Sequence, residues 1–250
     1  MGNNEQYYDA YWGSIKEWMV RDGAIENTEG ALFRELLRPG MKCLDYGCGD
    51  GRRYGRFLKE RGIEYRGADI SREAIRIAAE IGLDVQPLQD DGTTALPAES
   101  CDAVLCMEVI EHLVEPNRAV AEMRRLLKPG GILIASVPNI AHWFHRVEFL
   151  LTGFLNPGGS PLTARKMPWQ DPHIRFFCPA MLKQLALQNG FAQPRVAGND
   201  FDLGGLPYIY RRPRLSRVLH AASLPLRWLG RAWPSLFASR IFLVARKPVA

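Results

Sequence analysis

The feature that most constrains this chain is a regular alternation of short apolar runs with amphipathic stretches between residues 41 and 138. Lys42 to Tyr46, Glu64 to Asp69, Leu83 to Leu88, Asp102 to Met107 and Ile132 to Val137 read as strands. Arg52 to Arg61, Arg72 to Ile81 and Pro116 to Leu127 read as helices between them. Such alternation implies βαβ units and a mainly parallel sheet. Asp102 to Met107 is apolar at nearly every position, as a strand covered on both faces must be. Punctuation falls where the pattern needs it. Pro39-Gly40 and Pro129-Gly130-Gly131 read as turns, Ser71 as a helix cap, and Gly62 and Gly82 as helix ends. A helix is expected over Pro179 to Asn189 and a last strand over Ile241 to Ala245.

The 250 residues suffice for one α/β core, so a single domain over 1–250 is expected. Residues 1–38 form its helical N-terminal lid and 39–138 its ligand-binding core. Two stretches break the alternation and read as insertions. Residues 139–176 mix aromatics with glycine and proline on the substrate side, and 203–239 are rich in Arg, Leu and Trp. Five cysteines, an odd number without a C-x-x-C pair, fit a reducing cytoplasm better than disulfides or a cysteine zinc site. The N-terminus lacks a signal-peptide pattern and no run is long enough to span a membrane. The net charge of +5 is uneven: no acid follows Asp202, so the rest of the chain is slightly acidic.

The first strand runs into Gly47-Cys48-Gly49-Asp50-Gly51, where glycines let backbone approach a ligand closely. Arg52 stands where a dinucleotide fingerprint needs its third glycine. Asp45 and Asp50 flank the loop. Carboxylates disfavour a pyrophosphate and favour a ligand carrying an ammonium and a sulfonium, such as S-adenosylmethionine. An NAD-dependent oxidoreductase is disfavoured on the same grounds. Asp69, closing the second strand, sits where a carboxylate accepts from both hydroxyls of a ribose. Asp90, after the third strand, is the candidate partner of an adenine amino group.

With these landmarks, Leu96-Pro97, Glu111-His112-Leu113 and Leu126-Leu127-Lys128-Pro129-Gly130-Gly131, residues 41–138 resemble class I S-adenosylmethionine-dependent methyltransferases. The resemblance implies a Rossmann-like α/β fold: a seven-stranded sheet, mostly parallel with an antiparallel last strand, and helices on both faces. It also implies that Asp45, Gly47, Cys48, Gly49, Asp69, Ile70, Asp90, Met107 and Glu108 line the cofactor, with Tyr7, Tyr8 and Tyr11 on a lid above it. Cys106 to His112 is similar to the ubiquinone-biosynthesis O-methyltransferases, whereas Val137-Pro138-Asn139 and His173 to Phe177 look more like MetW-type proteins. The first likeness implies O-methylation of a small acceptor such as a quinone, and the later stretch also looks like methyltransferases of glycan and lipid pathways, which implies a lipid-linked or sugar substrate. The second implies a non-catalytic or regulatory cofactor-binding protein that acts with a partner enzyme.

Methyl transfer to a hydroxyl benefits from a general base or a metal. Glu111 and His112 are candidates, and helical spacing would put Glu108 on the same face. In the ubiquinone-type enzymes this motif is associated with a divalent metal. The pattern is also widespread in metal-free methyltransferases, so no metal is assigned. Of His142, His145 and His173 in the insertion, His173 ranks first because Arg175 beside it suits an acidic acceptor. Residues 211–233 read as basic and amphipathic, fit either for an anionic membrane surface or for packing on the core with solvated arginines. Nucleic acid is disfavoured because no recognised module is present. The sequence does not fix an oligomeric state.

Overall fold

A computed structural model describes residues 3–14, 25, 27–89, 91–155, 172–204, 206, 209 and 212–249. Two helices, α1 (Asn3–Ser14) and α2 (Asn27–Leu36), precede the expected alternation. Strands β1 (Lys42–Tyr46), β2 (Glu64–Asp69), β3 (Val85–Pro87), β4 (Cys101–Met107) and β5 (Leu127–Pro138) then alternate with α3 (Gly55–Lys59), α4 (Arg72–Glu80) and α5 (Pro116–Leu126). Beyond them come α6 (Trp143–Thr152), α7 (Pro179–Gln188), β6 (Ala192–Gly198), α8 (Pro213–Ser223), α9 (Trp228–Ala232), α10 (Pro234–Phe237) and β7 (Arg240–Arg246). The seven strands form one sheet in the order β3-β2-β1-β4-β5-β7-β6. Pairing is parallel from β3 to β5, and β7 runs antiparallel to both its neighbours. This is the Rossmann-like sheet with an antiparallel last strand that the sequence implies.

The double cover of β4 explains its composition. Val104 and Cys106 pack with Val120, Met123 and Leu126 of α5 and Leu182 of α7 on one face. Ala103, Leu105 and Met107 pack with Phe33 and Leu36 of α2 and Leu58 of α3 on the other. Each fully buried leucine, such as Leu105 or Leu133, contributes about 2 kcal/mol by leaving water.

Four segment readings change. Gly51 has φ +69°, outside the helical region, so α3 starts at Gly55 instead of Arg52. Strand β3 keeps only its middle residues. Pro129-Gly130-Gly131 is not a turn between helix and strand but a bulge inside β5. Leu127 pairs with Cys101 and Ile132 already pairs with Ala103, while Gly130 and Gly131 exchange hydrogen bonds with Lys247. Strand β6 has no counterpart among the segments read from sequence. It is an edge strand, paired only with β7, so it carries Pro194 and alternates partly buried with exposed residues.

The order reverses between β1 and β4: the strands run outward to β3 on one side and to β5 on the other. Ligands of open α/β sheets bind beyond the carboxyl ends of the strands at such a switch point. The glycine loop after β1 and the Glu108–His112 segment after β4 meet there.

Candidate active site

The glycine loop is folded back onto the end of β2. Gly47 and Cys48 donate to the Ala68 carbonyl at 2.7 and 3.2 Å, and Gly49 donates to Asp69 Oδ2 at 2.7 Å. The other carboxylate oxygen of Asp69 accepts from Ser71 N at 2.9 Å. Asp69 therefore clamps the loop to the start of α4, where Ser71 also caps the helix through Ala74 N. The loop conformation excludes side chains. Gly47 and Gly49 have φ of +73° and +58°, and a Cβ on them would lie 2.6 Å from Val109 and 2.1 Å from Trp12.

Asp45 is 1% exposed, and Tyr65 donates to its Oδ2 at 3.2 Å. Burial lifts its pKa to about 7, with a smaller lowering by the Tyr65 hydrogen bond. A buried carboxyl of this kind favours a cationic ligand, because the ligand's charge offsets the desolvation of the ionised form. Asp69 is raised by burial too, against the lowering by its backbone donors. Two acids and a Cβ-free cradle at the switch point fit S-adenosylmethionine, which presents an ammonium, a sulfonium and a ribose diol. Cys48 is partly buried and hydrogen-bonded to Gly49 O, Ile70 follows Asp69, and Met107 is buried at the end of β4. Asp90 lies outside the described residues. Its neighbour Asp91 is held by Thr93 and Arg118.

Helix α1 lies against this end of the sheet. Asp9 accepts from Ser71 Oγ at 2.6 Å and from Glu73 N at 3.2 Å, which fixes α1 on the first turn of α4. Trp12 is the residue that reaches the glycine loop, whereas Tyr11 stands half-exposed at its edge. Burial raises the Tyr8 phenol, with Tyr7 and then Asp69 adding to it, and its ring lies 6.4 Å from that of His112.

The segment after β4 is shaped by one turn of 3₁₀ helix, Ile110–His112. Helical spacing does not hold from Glu108, whose φ is +58°. Its carboxylate accepts from Ser136 Oγ at 2.9 Å and pairs with Arg240 at 3.3 Å. Arg240 also reaches fully buried Glu29 at 2.7 Å, which in turn binds Arg53 and Tyr54. Glu108 is thus committed to a network beneath the site, and Arg240 is not one of the solvated arginines expected of the basic tail.

Glu111, His112 and His173 come together instead. The His112 and His173 rings lie 4.6 Å apart. His112 Nδ1 is 3.0 Å from the Pro172 carbonyl, and Nε2 is 3.9 Å from Glu111 Oε1. A carbonyl only accepts, so in neutral His112 the proton is assigned to Nδ1 and Nε2 has the lone pair. Glu111 is 1% exposed, and among the described residues neither carboxyl oxygen has a hydrogen-bond partner. Burial, then the charge of Glu108, raises its pKa, which favours the protonated carboxyl. Its backbone carbonyl accepts from Ile174 and Arg175 N, both at 3.0 Å, which fastens the 172–177 segment over the site. Arg175 donates to Val114 O at 2.6 Å. One ligand atom from each of Glu111, His112 and His173 lies within 4.8 Å of the others, a spacing that fits a divalent cation. His142 caps α6 and burial lowers it to about 4. His145 is lowered in the same way, and both belong to the packing of the insertion.

Sequence reasoning missed the Trp12 contact, the Asp9 latch and the Arg240–Glu29–Glu108 chain. The aromatic cluster of α1 was visible, but not which ring turns inward. Nothing local marks Arg240 as different from the other tail arginines.

Comparison with known proteins agrees with this geometry. A family model described as a methyltransferase domain matches residues 22–193. The ubiquinone biosynthesis O-methyltransferases of Idiomarina loihiensis and Salmonella enteritidis are each 33% identical over 126 residues, 48% of this chain and 49% of theirs. The chain thus spans about half the length of these curated relatives. Among solved structures, an S-adenosylmethionine-dependent methyltransferase from Archaeoglobus fulgidus superposes with a TM-score of 0.59 at 18% identity, over 98% of this chain and all of that one. Phosphoethanolamine N-methyltransferase 2 of Haemonchus contortus, in complex with S-adenosylmethionine, gives 0.61 at 16% identity, over 98% and 59%. The chain belongs to the methyltransferase-domain family and has the fold of class I S-adenosylmethionine-dependent methyltransferases.

Proposed function

We propose that the protein methylates a hydroxyl of a small organic acceptor, with a quinol, lipid-linked or sugar hydroxyl as the acceptor class. The observation that carries this reading is the pairing of His112 with His173 beside buried Glu111, at the carboxyl edge of β4. The likeness to relatives named ubiquinone biosynthesis O-methyltransferase supports oxygen as the accepting atom.

When bound, S-adenosylmethionine supplies an electrophilic methyl group on a sulfonium. Asp45, Gly47, Cys48, Gly49, Asp69, Ile70 and Met107 would hold it. In this reading Asp69 takes the ribose and Asp45 the positive end, Trp12 and Tyr8 cover the site, and Glu108 holds the floor through Arg240. His112 Nε2 would accept the proton of the acceptor's hydroxyl, which leaves that oxygen as the nucleophile for the methyl group. The Pro172 carbonyl then stabilises the imidazolium through Nδ1–H. Glu111 stays buried beside the two imidazoles, and the ring of His173, tilted against that of His112, limits how the acceptor enters. The free cysteines favour a reducing compartment, and cytoplasmic placement is part of this reading.

A second reading rests on the spacing of Glu111, His112 and His173. These three would hold a divalent cation that lowers the pKa of the acceptor hydroxyl. Chelator treatment separates the two: turnover survives it if His112 is the base, and is lost if a cation is required.

The test is turnover of a soluble catechol-type quinol by the wild type and His112→Ala. The expected result is a loss of about 10²–10⁴-fold in kcat, with S-adenosylhomocysteine affinity unchanged. Equal turnover removes His112 as base. A wild type that binds S-adenosylhomocysteine yet methylates no quinol, lipid or sugar hydroxyl favours the MetW-like regulatory role.

A further inference from the structure

Large apolar side chains stand in water on helices next to the acceptor side of the site. On α6, Leu150 and Leu151 are 82% and 77% exposed, with Phe149 beside them. On the α8–α10 run, Val218, Trp228 and Trp233 are each more than half-exposed, and the two tryptophan rings lie 5.9 Å apart. The two groups belong to one structural unit. Asn139, at the end of β5, donates to the Pro234 and Ala238 carbonyls, and Arg146 of α6 reaches Ser235 O of α10. Isolated exposed leucines are ordinary, but runs of this kind on neighbouring helices mark an interaction face.

Charge identifies what covers it. Arg214 and Arg217 lie one turn apart on α8 beside Leu215 and Val218, and Arg227 precedes Trp228. No acidic residue follows Asp202. A protein partner's hydrophobic face would not call for such one-sided charge. An anionic bilayer matches both features: arginines meet headgroups, leucines enter the acyl boundary, and indoles sit at the interface. No helix among the described residues is long and apolar enough to cross a membrane, so contact through these helices is with the surface.

We propose that α6 and the α8–α10 run form a docking surface for an anionic phospholipid bilayer. The 172–177 segment links this surface to the site: it hydrogen-bonds to Glu111 at one end and to Ile140 at the other, and exposes Ile174 and Phe176 between them. Docking therefore sets the acceptor side next to the lipid. Resting on the methyltransferase reading, this narrows the acceptor to amphiphiles that reside in the membrane.

The test is co-sedimentation of the full chain with phosphatidylcholine vesicles, with and without phosphatidylglycerol. S-adenosylhomocysteine binding is measured on each preparation, so failure of docking is distinguished from failure of the cofactor reading. The wild type is expected to bind the phosphatidylglycerol vesicles, more weakly as salt rises. Leu150→Ser/Leu151→Ser is expected to weaken partition by about ten-fold or more. Arg214→Glu/Arg217→Glu is expected to abolish the preference for the anionic lipid. Both variants should retain S-adenosylhomocysteine binding. Absence of vesicle binding by a wild type that binds S-adenosylhomocysteine overturns the proposal. So does a dimer in solution that Leu150→Ser/Leu151→Ser dissociates, since a second copy would then cover the face.

Discussion

The cofactor end and the acceptor end of this site lie side by side but are built differently. At the cofactor end the contacts are local to one βαβ unit: Gly49 meets Asp69, and Asp45 meets Tyr65, each across 20 positions. Glycines in left-handed conformations and buried acids do the shaping. At the acceptor end the contacts are long-range. His112 is oriented by Pro172 across 60 positions, and Asn139 is tied to Ala238 across 99. A ligand common to a whole family is held by geometry that short motifs encode. A ligand that differs among its members is met by insertions whose arrangement no motif records.

After His112, the largest effect that sharpens this contrast is expected at His173. His173→Ala should lower kcat by about 10²-fold through loss of positioning and leave S-adenosylhomocysteine affinity unchanged by calorimetry. Unchanged kcat would remove His173 from the reaction. Next is the network beneath both ends. Arg240→Met leaves Glu108 and fully buried Glu29 each short of a cation, so a stability loss of about 2–4 kcal/mol is expected in urea unfolding. A change within error would mean that the other partners of Glu29, Arg53 and Tyr54 among them, satisfy it without Arg240.

A smaller effect is expected in the lid. Gly49→Ala strains a left-handed residue and drives a Cβ into Trp12, costing about 1–3 kcal/mol of cofactor affinity. In a double-mutant cycle Trp12→Ala should return part of that loss; strict additivity would show that Trp12 does not cover the loop.

The smallest, and the most diagnostic of the cofactor end, concerns pH. Folding raises Asp45 from 3.8 to about 7. Between those values the folded chain binds a proton that the unfolded chain has lost, so this group's contribution to stability falls as pH rises. A cationic ligand favours the ionised carboxylate, so S-adenosylmethionine affinity should rise with pH through about 7. Asp45→Asn should flatten both profiles, stabilise the free protein at pH 8 by about 1–2 kcal/mol, and weaken cofactor binding. A variant with wild-type affinity would show that Asp45 is structural.

The difference in construction also decided what the sequence disclosed. Strands β4 and β7 were legible because both faces are covered and their central residues are apolar, and β1 and β2 because each short run ends in an acid or a glycine turn at the edge of the site. Ser71 as a cap and the clustering of Asp45, Gly47, Gly49 and Asp69 followed from local rules. Strand β6 escaped because an edge strand need not be apolar, and the β5 bulge because Pro-Gly-Gly reads as a turn until Lys247 is seen to pair with it. Glu108 and His112 were expected on one helical face, but a left-handed Glu108 breaks the periodicity. His173 was picked out by its neighbour Arg175. Its real distinction, the neighbouring ring of His112, lies 61 positions away and leaves no local trace.

The separation of the two ends is tested most directly by titrating S-adenosylhomocysteine into the wild type, Asp69→Ala and His112→Ala in a calorimeter. The prediction is tight binding by the wild type and His112→Ala, and a loss of about 10–100-fold for Asp69→Ala. Equal affinity in all three, or no binding by well-folded wild type, would contradict the assignment of the glycine loop and Asp69 as the cofactor end.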